Sequence, residues 1–282
     1  MRHVTRAAIL FFAWLTLAPA LSAQDIPVDL ELVLAIDVSG SVDKEEARLQ
    51  RDGYITALES PVVLQAIKGG MLGRIAVLYV EWAGSEHALT VNPWALIDGP
   101  EAARAFNARL QTIPPTRGMY TSITNAIEYA MPMFDGNGFE GTRRVIDVSG
   151  DGPNNIGGLV TVARDRAVAR GITINGLPIM NDRGSGYGMP SMANLDLYYQ
   201  ECVIGGSRAF LIVAETFDSF ADAIRRKLLL EIAGIDPRRV PGTLTRHNDA
   251  QPLVWLAQNR WTPPCDEGER MMEQRRRGFR DW

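Results

Sequence analysis

From Leu30 onward the chain alternates between apolar runs of strand length and amphipathic stretches of helical period. Leu30–Ala35 is a nearly unbroken apolar run and reads as a buried strand. Arg74–Trp82 is rich in β-branched and aromatic residues and reads the same way, as do Arg143–Val148, Ile172–Ile179 and Arg208–Val213. Glu86–Val91 reads as a short edge strand, with Trp94–Ile97 packed beneath it. Between these runs, Asp43–Leu58, Glu101–Leu110, Thr121–Met131, Leu159–Arg170 and Leu195–Cys202 read as helices. Pro61 and Gly69-Gly70 interrupt the pattern after the first of them. Phe217, Phe220, Ala221, Ile224 and Leu228 fall at helical spacing and predict an amphipathic helix ending near Gly234. Ile113–Gly118, Asp135–Gly141 and the polar stretch Asn181–Pro190 read as loops. Strands alternating with helices predict an α/β fold, a doubly wound, mostly parallel sheet with helices on both faces.

The two ends fall outside that alternation. Residues 1–23 carry two arginines, an apolar run from Ala7 to Ala18 and small residues up to Ala23, the pattern of a secretory signal peptide. The apolar run falls short of the ~20 residues that a spanning helix needs. The expected organisation is therefore a signal peptide over 1–23, a domain over 24–234 and a charged, partly irregular extension over 235–282. Cleavage near Ala23 would leave the protein periplasmic or secreted, with no membrane insertion. It would also leave 27 basic against 33 acidic residues, a net charge of −6. That balance gives no chain-wide attraction for nucleic acid or anionic lipid. The run Arg275-Arg276-Arg277 sits among Glu267, Glu269 and Glu273 and reads as a solvated, self-neutralising tail. Cys202 and Cys265 are the two cysteines. Outside the cytoplasm they permit a disulfide that would pin the tail to the domain.

Chemistry concentrates at three turns. Asp37-Val38-Ser39-Gly40-Ser41 follows the first strand. Thr121 follows Gly118-Met119-Tyr120. Asp151 sits in Ser149-Gly150-Asp151-Gly152. In a parallel sheet, loops at the carboxyl ends of adjacent strands converge, and ligands bind there. Two carboxylates and three hydroxyls are hard oxygen donors, suited to Mg²⁺, Mn²⁺ or Ca²⁺. Asp37 and Asp151 together offset a divalent charge. Asp43 reads as a helix cap, and Asp147, inside a strand, as a partner for buried backbone or an arginine. Asn154 and Asn155 either border the cation or only shape the turn.

This layout resembles the von Willebrand factor A (vWA) domain with its metal-ion-dependent adhesion site. The family's motif is Asp-x-Ser-x-Ser, a distant Thr, and a distant Asp usually followed by Gly. Asp37, Ser39, Ser41, Thr121 and Asp151 match it. The resemblance implies that Ser39, Ser41 and Thr121 touch the metal through their hydroxyls, while the aspartates act partly through water. It also implies a protein partner that offers a carboxylate to an open coordination position. At Thr121 the family commonly has Gly-Gly-Thr, whereas Met119-Tyr120 precede it here, and Ser122 and Thr124 are rivals. The stretches Val145–Asn155 and Thr173–Pro178 are similar to an exported bacterial family known as domain of unknown function 1194.

Several catalytic classes find no motif. The sequence has no phosphate-binding Gly-x-x-x-x-Gly-Lys-Ser/Thr run and no Gly-x-Ser-x-Gly elbow. After the signal segment only His87 and His247 remain, without a His-Glu-x-x-His helix, which disfavours a zinc hydrolase. The expectation is a binding module and not an enzyme. The alternatives are a metal-assisted hydrolase with Asp147 or Glu81 as base, and a metal-free envelope scaffold.

Overall fold

A computed structural model describes residues 24–180, 191–217, 219–234 and 261–278. Residues 1–23, where a signal peptide is expected, 181–190, where a loop is expected, and 235–260, the first part of the expected extension, lie outside the described residues. The order is β1 (Ile26–Val28), β2 (Glu31–Asp37), α1 (Lys44–Glu59), α2 (Pro61–Lys68), β3 (Ile75–Trp82), β4 (Ala88–Ile97), α3 (Pro100–Thr112) and α4 (Ile123–Ala130). There follow a 3₁₀ turn (Met131–Phe134), β5 (Phe139–Gly141), β6 (Arg144–Gly150), α5 (Val160–Ala169), β7 (Ile172–Pro178) and α6 (Leu195–Tyr198). A π turn (Tyr199–Val203), α7 (Phe220–Ala233) and α8 (Glu267–Gly278) complete it.

The main sheet has the order β4-β3-β2-β6-β7. All pairs are parallel except β3–β4. Every residue of β2 is buried, because both faces of the sheet are covered. Side chains alternate across a strand, so Leu32, Leu34 and Ile36 join Tyr54, Phe220 and Leu228 in one core. Val33 and Ala35 join Ile127, Ala163 and Tyr199 in the other. Each fully buried Leu or Ile contributes about 1.5–3 kcal/mol relative to exposure. β2 is also where the strand order reverses, with β3 on one side and β6 on the other. That reversal is the crevice where open α/β sheets take ligands.

The register places Asp37 directly opposite Trp82, which is fully buried. α1 begins where its chemistry says it should. Asp43 Oδ1 accepts the amides of Glu45 and Glu46 at 2.8 and 2.9 Å, and Glu46 accepts the amide of Asp43 at 2.9 Å. This capping box places the cap, Asp43, two residues after Ser41 and leaves the preceding turn free for other chemistry.

Some expectations change. Pro61 does not break the chain into a loop but opens α2, capped by Ser60; proline is well suited to a first helical position, where its missing amide costs nothing. β4 is one continuous antiparallel edge strand instead of a short strand with a packed segment beneath it. Part of the expected glycine-rich loop pairs as β5 with β1 in a small parallel sheet. Arg208–Val213 is not a strand. This region meets β7 only through isolated bridges: the Asn175 side chain takes the Phe210 amide at 2.9 Å, and Pro178 has no N–H to give. The segment Leu195–Cys202 divides into α6 and the π turn.

Cys202 and Cys265 form a disulfide, with α-carbons 5.4 Å apart. It brings residues 261–278 back onto the domain, so this part of the extension is not a detached, solvated tail. Among the described residues no helix is long and apolar enough to cross a membrane.

Candidate metal centre

The carboxyl ends of β2 and β6 and the amino end of α4 bring the three turns together. Asp37, the last residue of β2, is fully buried, as is Ser39. The amide of Ser39 donates to Asp37 Oδ1 at 2.7 Å, folding the turn back on its own aspartate. The hydroxyls of Ser39 and Ser41 lie 3.1 Å apart. Ser41 Oγ donates to Asp151 Oδ1 at 2.6 Å. Four of the five predicted residues thus form one hydrogen-bonded chain across two loops.

Thr121 joins from the third loop. A Cβ placed on Gly152 would lie 3.7 Å from Thr121 Oγ1, so this hydroxyl sits beside the turn that carries Asp151. Ser41, Thr121 and Asp151 line the same cleft, of about 330 Å³. The rival hydroxyls are used elsewhere. Ser122 caps α4 and donates to the Ile156 carbonyl at 2.9 Å. Thr124 donates to the Gly158 carbonyl at 2.9 Å. The departure from Gly-Gly-Thr also has a physical reading. Tyr120 adopts φ +63°, a left-handed conformation that glycine adopts freely and other residues at a cost of about 1–2 kcal/mol.

That cost is met by a well-held loop. Gly118 donates to the Val38 carbonyl at 2.9 Å and Ser122 to the Ala83 carbonyl at 2.7 Å. The Thr121 amide donates to Asn155 Oδ1 at 2.9 Å, and the Asn155 amide returns a bond to the Thr121 carbonyl at 2.8 Å. Asn154 Oδ1 accepts the Thr124 amide at 2.9 Å. Asn154 therefore shapes the turn, while Asn155 both positions Thr121 and lines the cleft.

The electrostatics of Asp37 are unusual. Burial, and then the nearby charge of Asp151, push its carboxyl well above the ordinary range; its bonds with Ser39 and with the Asp151 backbone pull the other way. Its second oxygen, Oδ2, is buried without a hydrogen-bond partner. Gly150 makes room for that oxygen: a Cβ there would come within 2.8 Å of Asp37 Oδ2 and 2.9 Å of Tyr199 Oη. An orphaned, buried carboxylate oxygen beside a second acid is what a divalent cation would complete. The donor set therefore fits a hard cation. Among the described residues no three His, Cys, Asp or Glu side chains gather in a way that could hold a metal ion. A cation at this centre would therefore depend on hydroxyl oxygens as well as the two acids.

The two bases considered for a hydrolase are both committed. Glu81 is buried, paired with Arg51, and accepts the amide and hydroxyl of Thr116 at 2.8 Å. It holds the loop that leads to Thr121. Asp147 pairs with Lys227 of α7, a lysine where the sequence pointed to backbone or arginine.

One neighbour of the site was not foreseen. α8 forms a wall of the cleft through Gly268, Met271, Met272, Arg275 and Arg276. Gly268 is obligatory there, since a Cβ would overlap the Asn154 carbonyl. Glu269 accepts a hydrogen bond from Asn154 Nδ2 at 2.6 Å. The cysteine count was the one signal in the sequence that pointed to this docking.

The profile of the family described as "Protein of unknown function (DUF1194)" matches residues 27–236, and the chain belongs to that family. No curated protein matches the sequence. Among solved structures, proximal thread matrix protein 1 from the mussel byssus is similar with a TM-score of 0.54 at 17% identity, covering 75% of this chain and 49% of that one. A further structure of the same protein, at a TM-score of 0.51, 17% identity and the same coverage, has a zinc-occupied MIDAS motif. The pilus adhesin SpaC from Lactobacillus rhamnosus GG is similar with a TM-score of 0.51 at 14% identity, over 74% of this chain and 31% of that one. The chain thus spans about half of the mussel protein and about a third of the adhesin. At these identities the likeness shows the fold alone, and the fold is of the vWA type.

Proposed function

We propose that this DUF1194 member is an exported binding module that holds a divalent cation and captures a carboxylate of a protein partner. The observation that carries the reading is Asp37 Oδ2, buried without a hydrogen-bond partner in a cluster of hard oxygens. Ser39, Ser41 and Thr121 would hold the cation through neutral hydroxyls, with Asp37 and Asp151 supplying the charge. The hydroxyls add no charge, so a bound Mg²⁺, Mn²⁺ or Ca²⁺ would keep an attraction for an incoming acid. The zinc-occupied MIDAS motif of the mussel protein supports the idea that this fold can seat a divalent ion at such a motif. The commitment of Glu81 and Asp147 to structural partners favours binding over hydrolysis.

The test uses the mature chain. Mg²⁺ should raise its melting temperature relative to EDTA, and Asp37→Ala should abolish the rise. Pull-down from envelope extracts should recover a partner with Mg²⁺ and lose it with EDTA. Equal melting and equal capture in the two conditions would refute the proposal.

A further inference from the structure

The cleft beside the candidate metal centre has both polar and apolar lining. The hydroxyls of Ser41 and Thr121 and the carboxylate of Asp151 supply the polar part. α8 adds Met271 and Met272, with Arg275 and Arg276 one turn further along. Met192, itself buried, and the exposed Met119 extend the methionine lining. α8 is fixed in this position by the Cys202–Cys265 disulfide, by the close approach of Gly268 to Asn154, and by the Asn154–Glu269 hydrogen bond.

From this arrangement we infer that the cleft is a binding site for a protein segment in which an acidic residue stands next to a large apolar one. The acid would face the cation and the arginine end of α8, and the apolar side chain would lie against the methionines. The inference deepens the reading above and rests on it. Three observations select this occupant. The cleft, at about 330 Å³, is at the lower end of the range for ligand pockets and is walled by a helix. A protruding loop or chain end can enter it; a broad protein face would meet α8 first. The exposed Arg276 complements an acid. The methionines are flexible and polarisable, and so adapt to an apolar side chain of either branched or aromatic shape.

The experiment titrates the mature, oxidised protein with three peptides in Mg²⁺ and in EDTA: Ac-Leu-Glu-Gly-NH₂, Ac-Gly-Glu-Gly-NH₂ and Ac-Leu-Gln-Gly-NH₂. Removing the leucine should weaken binding about ten- to a hundredfold, the scale of burying one such side chain. Removing the acid should abolish the Mg²⁺ dependence. Isotope-labelled methionine methyl groups should shift on adding the leucine peptide at Met192, Met271 and Met272, with no need for a mutation. Met272→Ser, checked for folding by circular dichroism, should narrow the preference for leucine to less than about threefold and keep the Mg²⁺-dependent binding of Ac-Gly-Glu-Gly-NH₂. Reducing the disulfide should have the same selective effect. Equal binding of the two glutamate peptides, with Mg²⁺ dependence intact, would overturn the methionine wall and leave carboxylate capture standing. Loss of all Mg²⁺ dependence would overturn the underlying reading. Hexanoate binding as tightly as the leucine peptide would show a small-molecule site and overturn the choice of a protein segment.

Discussion

Two of the buried-acid clusters on the central sheet, those of Asp147 and Asp37, are solved in opposite ways. Around Asp147 on β6, the protein supplies its own cation: Lys227 of α7 reaches Asp147 and Glu231, and Glu231 also accepts from Asn175 at 2.7 Å. All three charged groups are buried. Around Asp37, at the end of β2, the Ser39 amide serves one carboxylate oxygen at 2.7 Å while the other is left without a hydrogen-bond partner. One cluster is closed by a lysine and ties α7 to the sheet. The other is built of the same materials but opens toward a cleft. Burial of an acid alone does not mark a functional site; what sets Asp37 apart is burial beside a second acid with no lysine like Lys227 reaching it among the described residues.

The largest test of this contrast removes the closed cluster's cation. Lys227→Ala leaves Asp147 and Glu231 facing each other in the core and should cost about 3–5 kcal/mol, read by urea denaturation. A cost near zero would break the comparison, because the lysine would then not be what closes the cluster. The mirror experiment neutralises the open cluster. Asp37→Asn should stabilise the metal-free protein by about 1–2 kcal/mol, by relieving an unpaired buried charge. It should also remove the proposed gain from Mg²⁺, which for the wild type would amount to about 2.7 kcal/mol at a hundred times the dissociation constant. Differential scanning calorimetry of both proteins with and without Mg²⁺ measures the pair of effects.

A smaller effect tests positioning. Asn155→Ala takes away the acceptor of the Thr121 amide and should cost about 1 kcal/mol. If Thr121 belongs to the open cluster, the variant should also weaken the Mg²⁺ response, while the effect of Lys227→Ala stays the same in its background. The finest test is pH. Burial holds the Asp147 carboxyl at about 6, above the ordinary 3.8. Between those values the native state binds more protons than the unfolded chain, so this group makes stability fall as pH rises through the window. Asp147→Asn should flatten that part of the stability–pH curve in the absence of metal.

The sequence carried most of the scaffold because its signals were local. β2 and the turn after it were visible as an apolar run followed by alternating oxygen donors, and α1 as a cap with acids in its first turn. α7 was visible from its helical spacing. The features that escaped depend on tertiary contacts or on reading a local signal in the wrong sense. Pro61 interrupts the helical pattern in sequence, yet after Ser60 it is a start signal. Arg208–Val213 has strand composition, yet the Asn175 side chain takes one of its amides and Pro178 cannot donate. α8 has no repeating apolar face; only the adjacent Met271 and Met272 mark it, and it is placed by a disulfide, a glycine contact and one hydrogen bond to Asn154. The site shows the same division. The five residues proposed as oxygen donors stand in local motifs of the chain, whereas Asn155, Tyr199 and the α8 wall come beside them only through folding.

The pairing of Asp37 with Trp82 across the ladder gives the site an optical readout of its own. A buried indole on the neighbouring strand position feels the local field, and neutralising the carboxylate opposite it changes that field. Arrival of a cation at Asp37 should therefore alter the emission of Trp82 in stopped-flow fluorescence, with Trp82→Phe silent. The ion's on-rate could then be followed in the unlabelled protein, before any partner is known.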